Sequence, residues 1–414
     1  MFPEGMTPPF VRLLESDHPL ISDAVCIDGP DHWPDYQYTL VTPCNFSDKA
    51  GVEYRPYAYL GAGPNGGRSA MSAVGEAVER YSALTFPLET HRATIADIGE
   101  TGFTADKLRY YSDAQYQQDG FSFSPPTPDT EISWVEVTEL KTGASRPAPR
   151  DLILLHNDKP EIIYPGSTGL AAHSSEQSAY ISALCEVVER DATMLTWIAR
   201  IPPRLIVPDA AIMDQLASFK NLDREIFLLD VTQDIPLPCI VCLSRNRSGN
   251  WPRWVASSAC RLTPDAALEA CLLEHAQALA IISDMLPREE PVPSLRQHAH
   301  LWFAASKIRD KDMRFFTYPA VKVSANEWRD DYNDIPIEDV DQLNALFIER
   351  DLDLYKINLT PEDMRQFGFH VVRVLCPGLQ PMSFGVEFRC LGVQRLHARS
   401  VGGRLINSLP HPFP

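Results

Sequence analysis

One acidic signature occurs twice in this sequence. Ser72, Glu76, Glu79 and Arg80 stand in SAVGEAVER, and Ser182, Glu186, Glu189 and Arg190 repeat the spacing in SALCEVVER. At 3.6 residues per turn, these offsets put a hydroxyl, two carboxylates and a guanidinium within roughly 100° of one helix face. Each copy follows a glycine-containing stretch, GAGPNGG before the first and STGL before the second, so the order strand, glycine loop, helix recurs. A single ExxER is an ordinary solvated helix face held by local ion pairs. Two copies with the same serine offset fit either a duplicated structural helix or a shared site.

The shared site has a chemical requirement. Carboxylates one turn apart repel by about 0.2–0.5 kcal/mol when exposed, and by more when desolvated. Two such pairs facing one cleft need cations. Hard oxygen ligands suit Mg²⁺, which takes few protein carboxylates and completes its shell with water and phosphate oxygens. The arginines would add charge-assisted bonds to phosphate.

The formal net charge of −18 argues against nucleic-acid binding, which rests on clustered Lys and Arg. No run of about 18 apolar residues occurs, so no membrane span is expected, and the N-terminus lacks the basic start and apolar run of a signal peptide. Nine scattered cysteines are an odd number without disulfide-scaffold spacing, favouring a reducing cytoplasm. The CxxC pair Cys239 and Cys242 lies in an apolar, β-like run and reads as two strand residues.

The rest of the chain reads as mixed α/β in one large domain over residues 10–414, with residues 1–9 as an extension and 408–414 as a proline-rich tail. The first 50 residues suggest strands and turns. REIFLLDV, PCIVCLSR and PRWVASSAC suggest strands, and Thr263 and Pro264 open a third helix that carries Glu274 and Gln277. Residues 289 to about 352 suggest a helical or loop insertion. Gly61, Gly63, Gly66 and Gly67 would let a backbone approach phosphate or simply form a flexible turn, and no Walker Gly-Lys-Ser/Thr follows them. His173 and His275 read as hydrogen-bonded structural residues.

These stretches together resemble the YcaO family. The matching segments are GAGPNGGRSAMSAVGEAVERYSA, STGLAAHSSEQSAYISALCEVVERDA, CRLTPDAALEACLLEHAQ and INLTPEDMRQFGFHVVRVLCPGLQPMSFG. The resemblance implies ATP and Mg²⁺ as cofactors and ATP-dependent activation of backbone amides. It implies that Glu76, Glu79, Glu186, Glu189 and Glu274 hold magnesium, and that Ser72, Ser182, Arg80, Arg190 and Gln277 join them around the nucleotide. Two departures stand out: Ala62 replaces the lysine of the Gly-Lys-Gly found in many relatives, and Leu279 and Ile281 stand where an arginine often follows the third-helix Gln. Arg68 or Arg261 would have to supply those phosphate contacts.

The sequence closes on Pro410, His411, Pro412, Phe413 and Pro414, a stiff extended stretch. Such tails are often linkers or partner ligands. In azoline-forming YcaO cyclodehydratases the same motif enters the active site, which implies a catalytic place for Pro410, Pro412 and Pro414. The implied reaction is conversion of Cys, Ser or Thr of a ribosomal precursor peptide to thiazoline or oxazoline. Implied partners are that peptide, a separate E1-like or leader-binding protein, since no such domain precedes this one, and an FMN-dependent azoline dehydrogenase, in a homodimer or hetero-oligomer. Thioamide or amidine formation, or a non-catalytic peptide-presenting scaffold, are the rival readings.

Overall fold

The computed structural model describes residues 5–47, 58–98, 103–155, 159–285, 310–318, 321–333, 339–383, 385, 387–399 and 406–413. The chain opens on a short helix, α1 (Pro8–Leu14), where strands and turns were expected. Pro8 and Pro9 occupy its first turn, where a missing N–H leaves nothing unsatisfied, and Phe10 and Leu13 are buried. Residue 10, the expected domain boundary, falls inside this helix.

The helices bearing the acidic residues begin at polar caps, which satisfy N–H groups that a helix start leaves without partners. In α2 (Gly66–Thr85) the Asn65 side chain accepts from the Arg68 N–H at 3.0 Å. In α3 (Glu176–Ile198) the cap is Ser175, which accepts from the Ser178 N–H at 3.2 Å. In α4 (Pro264–Ala280) it is Thr263, followed by Pro264 in the first turn.

Among the described residues the strands form three sheets. The first is an antiparallel meander of β1 (Ile21–Asp28), β2 (Gln37–Pro43) and β3 (Tyr59–Gly63). The second is built on β4 (His91–Thr94), β5 (Glu131–Glu139), β6 (Ser145–Pro149), β7 (Leu170–His173), β13 (Tyr355–Asn358) and β14 (His370–Leu375). Its order is β4-β5-β13-β14-β7, with β6 also on β5. The third contains β8 (Arg204–Val207), β9 (Arg224–Asp230), β10 (Cys239–Asn246), β11 (Trp254–Cys260) and β12 (Lys322–Ser324), in the order β11-β10-β9-β8-β12.

The three long helices join these sheets in a ring. α2 packs on β2 and β3 of the first sheet and on β7 and β14 of the second. α3 packs on β7 and β14 and on β10 and β11 of the third, and α4 packs on β10 and β11 and returns to β3. Each helix has its own core cluster, around Val74 and Val78, around Leu184 and Leu195, and around Leu268 and Leu272. The glycines of β3 permit the tightest of these contacts. A Cβ on Gly61 would lie 2.0 Å from the Ser69 carbonyl oxygen, so Gly61 serves a close strand-to-helix approach and not a flexible turn.

The region from 289 to 352 includes helices at Asp310–Thr317, Ala325–Asp330 and Val340–Ile348, as expected, with residues 289–309, 319–320 and 334–338 outside the described ones. It also supplies β12, parallel to β8. A three-residue strand is too short to show alternation, which is why its pattern was silent. All nine cysteines are free, and Cys239 and Cys242 are buried strand residues. The helix Pro264–Asp284 has the length and apolar character of a membrane span. Its packing between β10, β11 and β3 accounts for that character as core burial.

Candidate active site

The ring of helices encloses a cavity of about 700 Å³, within the range of small-molecule sites. All ten residues singled out on the helices line it: Ser72, Glu76, Glu79 and Arg80 from α2, Ser182, Glu186, Glu189 and Arg190 from α3, and Glu274 and Gln277 from α4. The predicted stripes therefore face one space. The first and third helices touch directly, since Gln277 Nε2 donates to Ser72 Oγ at 3.0 Å.

The two copies of the motif share their internal geometry. Arg80 lies 3.7 Å from both Glu76 and Glu79, while Arg190 lies 3.3 Å from Glu186 and 3.7 Å from Glu189. Beyond that they are held differently. Glu186 Oε2 accepts the Gly169 N–H at 3.1 Å. Gly169 has φ +78°, and a Cβ there would lie 2.2 Å from the Val374 oxygen, so only glycine fits. Glu189, 4% exposed, accepts from Ser258 Oγ at 2.7 Å and from the Cys260 N–H at 3.2 Å.

Burial dominates the electrostatics. It pushes the Glu79 carboxyl up to about 8, with Arg80 opposing and Glu186 and Glu76 adding to the shift. Burial also raises Glu189, against Arg190 and Ser258. Glu274 is open to cavity water yet deep in the protein, and it too is raised, by burial and then by Glu189. For these carboxylates burial outweighs the neighbouring arginines, so their charge is only partly compensated. Among the described residues, no three of His, Cys, Asp and Glu are gathered closely enough to hold a metal by themselves. The donor set is hard oxygen spread round a roomy cavity. It fits Mg²⁺ that arrives with phosphate and keeps water in its shell, rather than an ion caged by protein alone.

Several wall residues bear on the departures noted in the sequence. Ala62 and Ile281 line the cavity without charge, Leu279 is buried in the core, and Arg68 and Arg261 both face the cavity. Arg261 is 3.9 Å from Glu274. His275 is fully buried between Ser244 and Ser257 and is driven down to about 3 by burial, which makes it a structural histidine. His173 lies on the cavity wall, lowered by burial and by Arg68.

Other residues gave no warning in the sequence. Arg373 on β14 is 3% exposed and donates to the carbonyls of Ile153, Leu154 and Gly166. Burial lowers it to about 10 against the pull of Glu186 and Glu79. Ser258, which holds Glu189, sits in a strand whose seven residues are all buried, so no alternation marked it. In the tail, Pro410 and Pro412 are buried and Phe413 is the described residue on the cavity wall. Pro414 lies outside the described residues.

A model of the YcaO family, described as YcaO cyclodehydratase, ATP- and Mg²⁺-binding, matches residues 60–380, which is well over half of the sequence. The chain belongs to the YcaO family. ATP and Mg²⁺ are thus the cofactors of its family. Among solved YcaO-type structures, a heterocyclase in complex with substrate and cofactor superposes with a TM-score of 0.75 at 21% identity, covering 98% of this chain. The chain spans 57% of that heterocyclase's length. The YcaO from Methanopyrus kandleri bound with AMPPCP and Mg²⁺ gives 0.62 at 18% identity, covering 87% of this chain and 86% of that one. The E. coli microcin synthetase McbBCD complex with pro-MccB17 bound gives 0.67 at 14% identity, with both chains covered completely. At these identities the likeness establishes a YcaO heterocyclase fold.

Proposed function

We propose that this chain is an ATP-dependent cyclodehydratase that converts Cys, Ser or Thr residues of a ribosomal precursor peptide to thiazoline or oxazoline rings. The observation that carries the reading is the convergence of the two acidic motifs, the third-helix Glu274 and Gln277, and Phe413 of the tail on one cavity. Glu76, Glu79, Glu186, Glu189 and Glu274 would hold magnesium, which neutralises phosphate charge. Ser72, Ser182, Arg80, Arg190 and Gln277 would bind and orient the nucleotide.

The side-chain nucleophile of the peptide adds to the preceding amide carbonyl and loses its proton. The oxyanion takes the γ-phosphoryl of ATP, releasing ADP. Loss of the amide proton and of phosphate then forms the C=N bond of the already closed ring, so each azoline removes one water from the peptide. The chain contributes positioning, charge neutralisation and exclusion of water. Partners in this reading are the precursor peptide, a leader-binding protein and a flavin-dependent dehydrogenase that oxidises the rings. Mass spectrometry of a candidate precursor incubated with the chain, its leader-binding partner and Mg-ATP should find loss of one water per ring. An unmodified mass under conditions that turn over ATP would overturn the reading.

The metal assignment has a pH signature. Metal binding requires ionised carboxylates, and Glu79 holds its proton up to about 8. Binding of Mg-ATP at neutral pH should therefore release protons, and affinity should rise as pH climbs towards about 8. Titration calorimetry in buffers of different ionisation heat measures this directly, and zero proton release would remove Glu79 from the ligand set. The sign for the free protein is opposite. The fold retains a proton that the unfolded chain loses above 4.5, so this group's contribution to stability declines as pH rises from 4.5 to about 8.

A further inference from the structure

The last carbonyls of a helix have no partners within it. At the end of α3, two of them are met by one distant residue. Asn407 Nδ2 donates to the Trp197 carbonyl at 3.2 Å, and the Asn407 N–H donates to the Ile198 carbonyl at 2.8 Å. Asn407 Oδ1 accepts the Leu409 N–H at 3.2 Å, and its own carbonyl accepts from the Arg389 guanidinium. The residue is 4% exposed. From this knot the tail doubles back along the helix. Trp197 Nε1 donates to the Leu409 carbonyl at 3.4 Å, His411 Nε2 donates to the Ser383 carbonyl at 2.9 Å, and Phe413 reaches the wall of the cavity that Glu189 and Arg190 also line.

The lengths agree. Six extended residues from Asn407 to Phe413 reach about 20 Å, and the helix from Ile198 back to Glu189 spans about 14 Å. The tail is thus long enough to reach the cavity from the knot. The loop that receives His411 is fixed to the same helix. The Gln380 N–H donates to Asp191 Oδ1 at 2.8 Å, Arg395 makes paired bonds to the Asp191 carboxylate at 2.8 Å and 3.0 Å, and Arg190 contacts the Met382 sulfur at 3.3 Å. Asp191 directly follows the motif arginine. The first copy has Tyr81 there, which donates instead to Asp363.

We propose that Asn407 is a positioning residue for the reaction. By capping α3 it fixes the register in which the tail lies on the helix, and so the place where residues 411–413 meet the nucleotide-side wall. The reaction it serves is the cyclodehydration proposed above. Asparagine suits the task because its amide both donates and accepts. Aspartate would lose the donor and set a negative charge at the negative end of the helix dipole.

The test uses the full chain with its partner, precursor peptide and Mg-ATP. Asn407→Ala and Asn407→Asp should each lower kcat for ring formation by roughly 10- to 100-fold, while the Kd for Mg-ATP stays within about twofold of the parent. Unchanged kcat in both variants, or a Kd that worsens in step with kcat, overturns the proposal, the latter by marking Asn407 as general support for α3. Amide hydrogen exchange gives a readout that needs no turnover. Residues 406–413 should lose protection in Asn407→Ala while α2 keeps its own, and equal protection of the tail in variant and parent also overturns the proposal. If the parent forms no rings, the cyclodehydratase reading fails, and the exchange result still decides whether Asn407 holds the tail.

Discussion

Glu189→Gln is expected to reduce Mg-ATP-dependent ring formation and the accompanying phosphate release by a factor on the order of 10²–10³, equivalent to about 3–4 kcal/mol of transition-state stabilisation. The loss should come without unfolding. Glutamine has the shape of glutamate, its carbonyl can accept the Cys260 N–H, and its NH₂ can donate to Ser258 Oγ, whose hydroxyl turns to suit. Only the charge is removed, and burial already disfavours that charge in the free protein. The melting temperature without nucleotide should therefore hold or rise, while the increase on adding Mg-ATP should shrink. Phosphate-release assays paired with thermal melts read both quantities. Turnover within threefold of the parent would remove Glu189 from the metal site.

The second large effect concerns the tail. Deleting residues 410–414 should lower ring formation by about 10²-fold or more, yet leave Mg-ATP binding in place, because the nucleotide-side carboxylates belong to α2, α3 and α4. Phe413 is 1% exposed and packs in the core cluster of α3. Its loss removes roughly 1.5–3 kcal/mol of apolar burial and opens a part of the cavity wall to water. A melting curve separates that penalty from the effect on turnover at a temperature where both proteins are folded. A deletion variant that still formed product at the parental rate would favour thioamide or amidine chemistry over ring closure.

Legibility from sequence followed periodicity. The acidic stripes were visible because helical spacing fixes which side chains share a face, and the cap Thr263 was visible because polar caps have short local signatures. What sits in other elements was not. Ser258 lies in a strand buried on both faces, so it carried no alternation, and Arg373 lies in an apolar run that gives no sign of the carbonyls waiting for it. Asn407 acts on carbonyls more than 200 residues away, a relation no local pattern encodes. Among the glycines before α2, Gly61 meets a requirement that no local pattern announced: the Ser69 backbone is pressed against it.

Because each long helix spans a seam between two sheets, the cavity has no half-built form. β14 pairs with β13 and β7 as an inner strand of the second sheet, beneath α3, although it lies some 170 residues after that helix in the chain. A ribosome adding 5–20 residues per second takes roughly 10–45 s to get from Arg190 to Phe413. For most of that interval the nascent chain already displays both acidic motifs but has neither the strand that supports the second nor the tail residue on the wall. An unfinished chain would thus carry both acidic motifs without the complete wall around them.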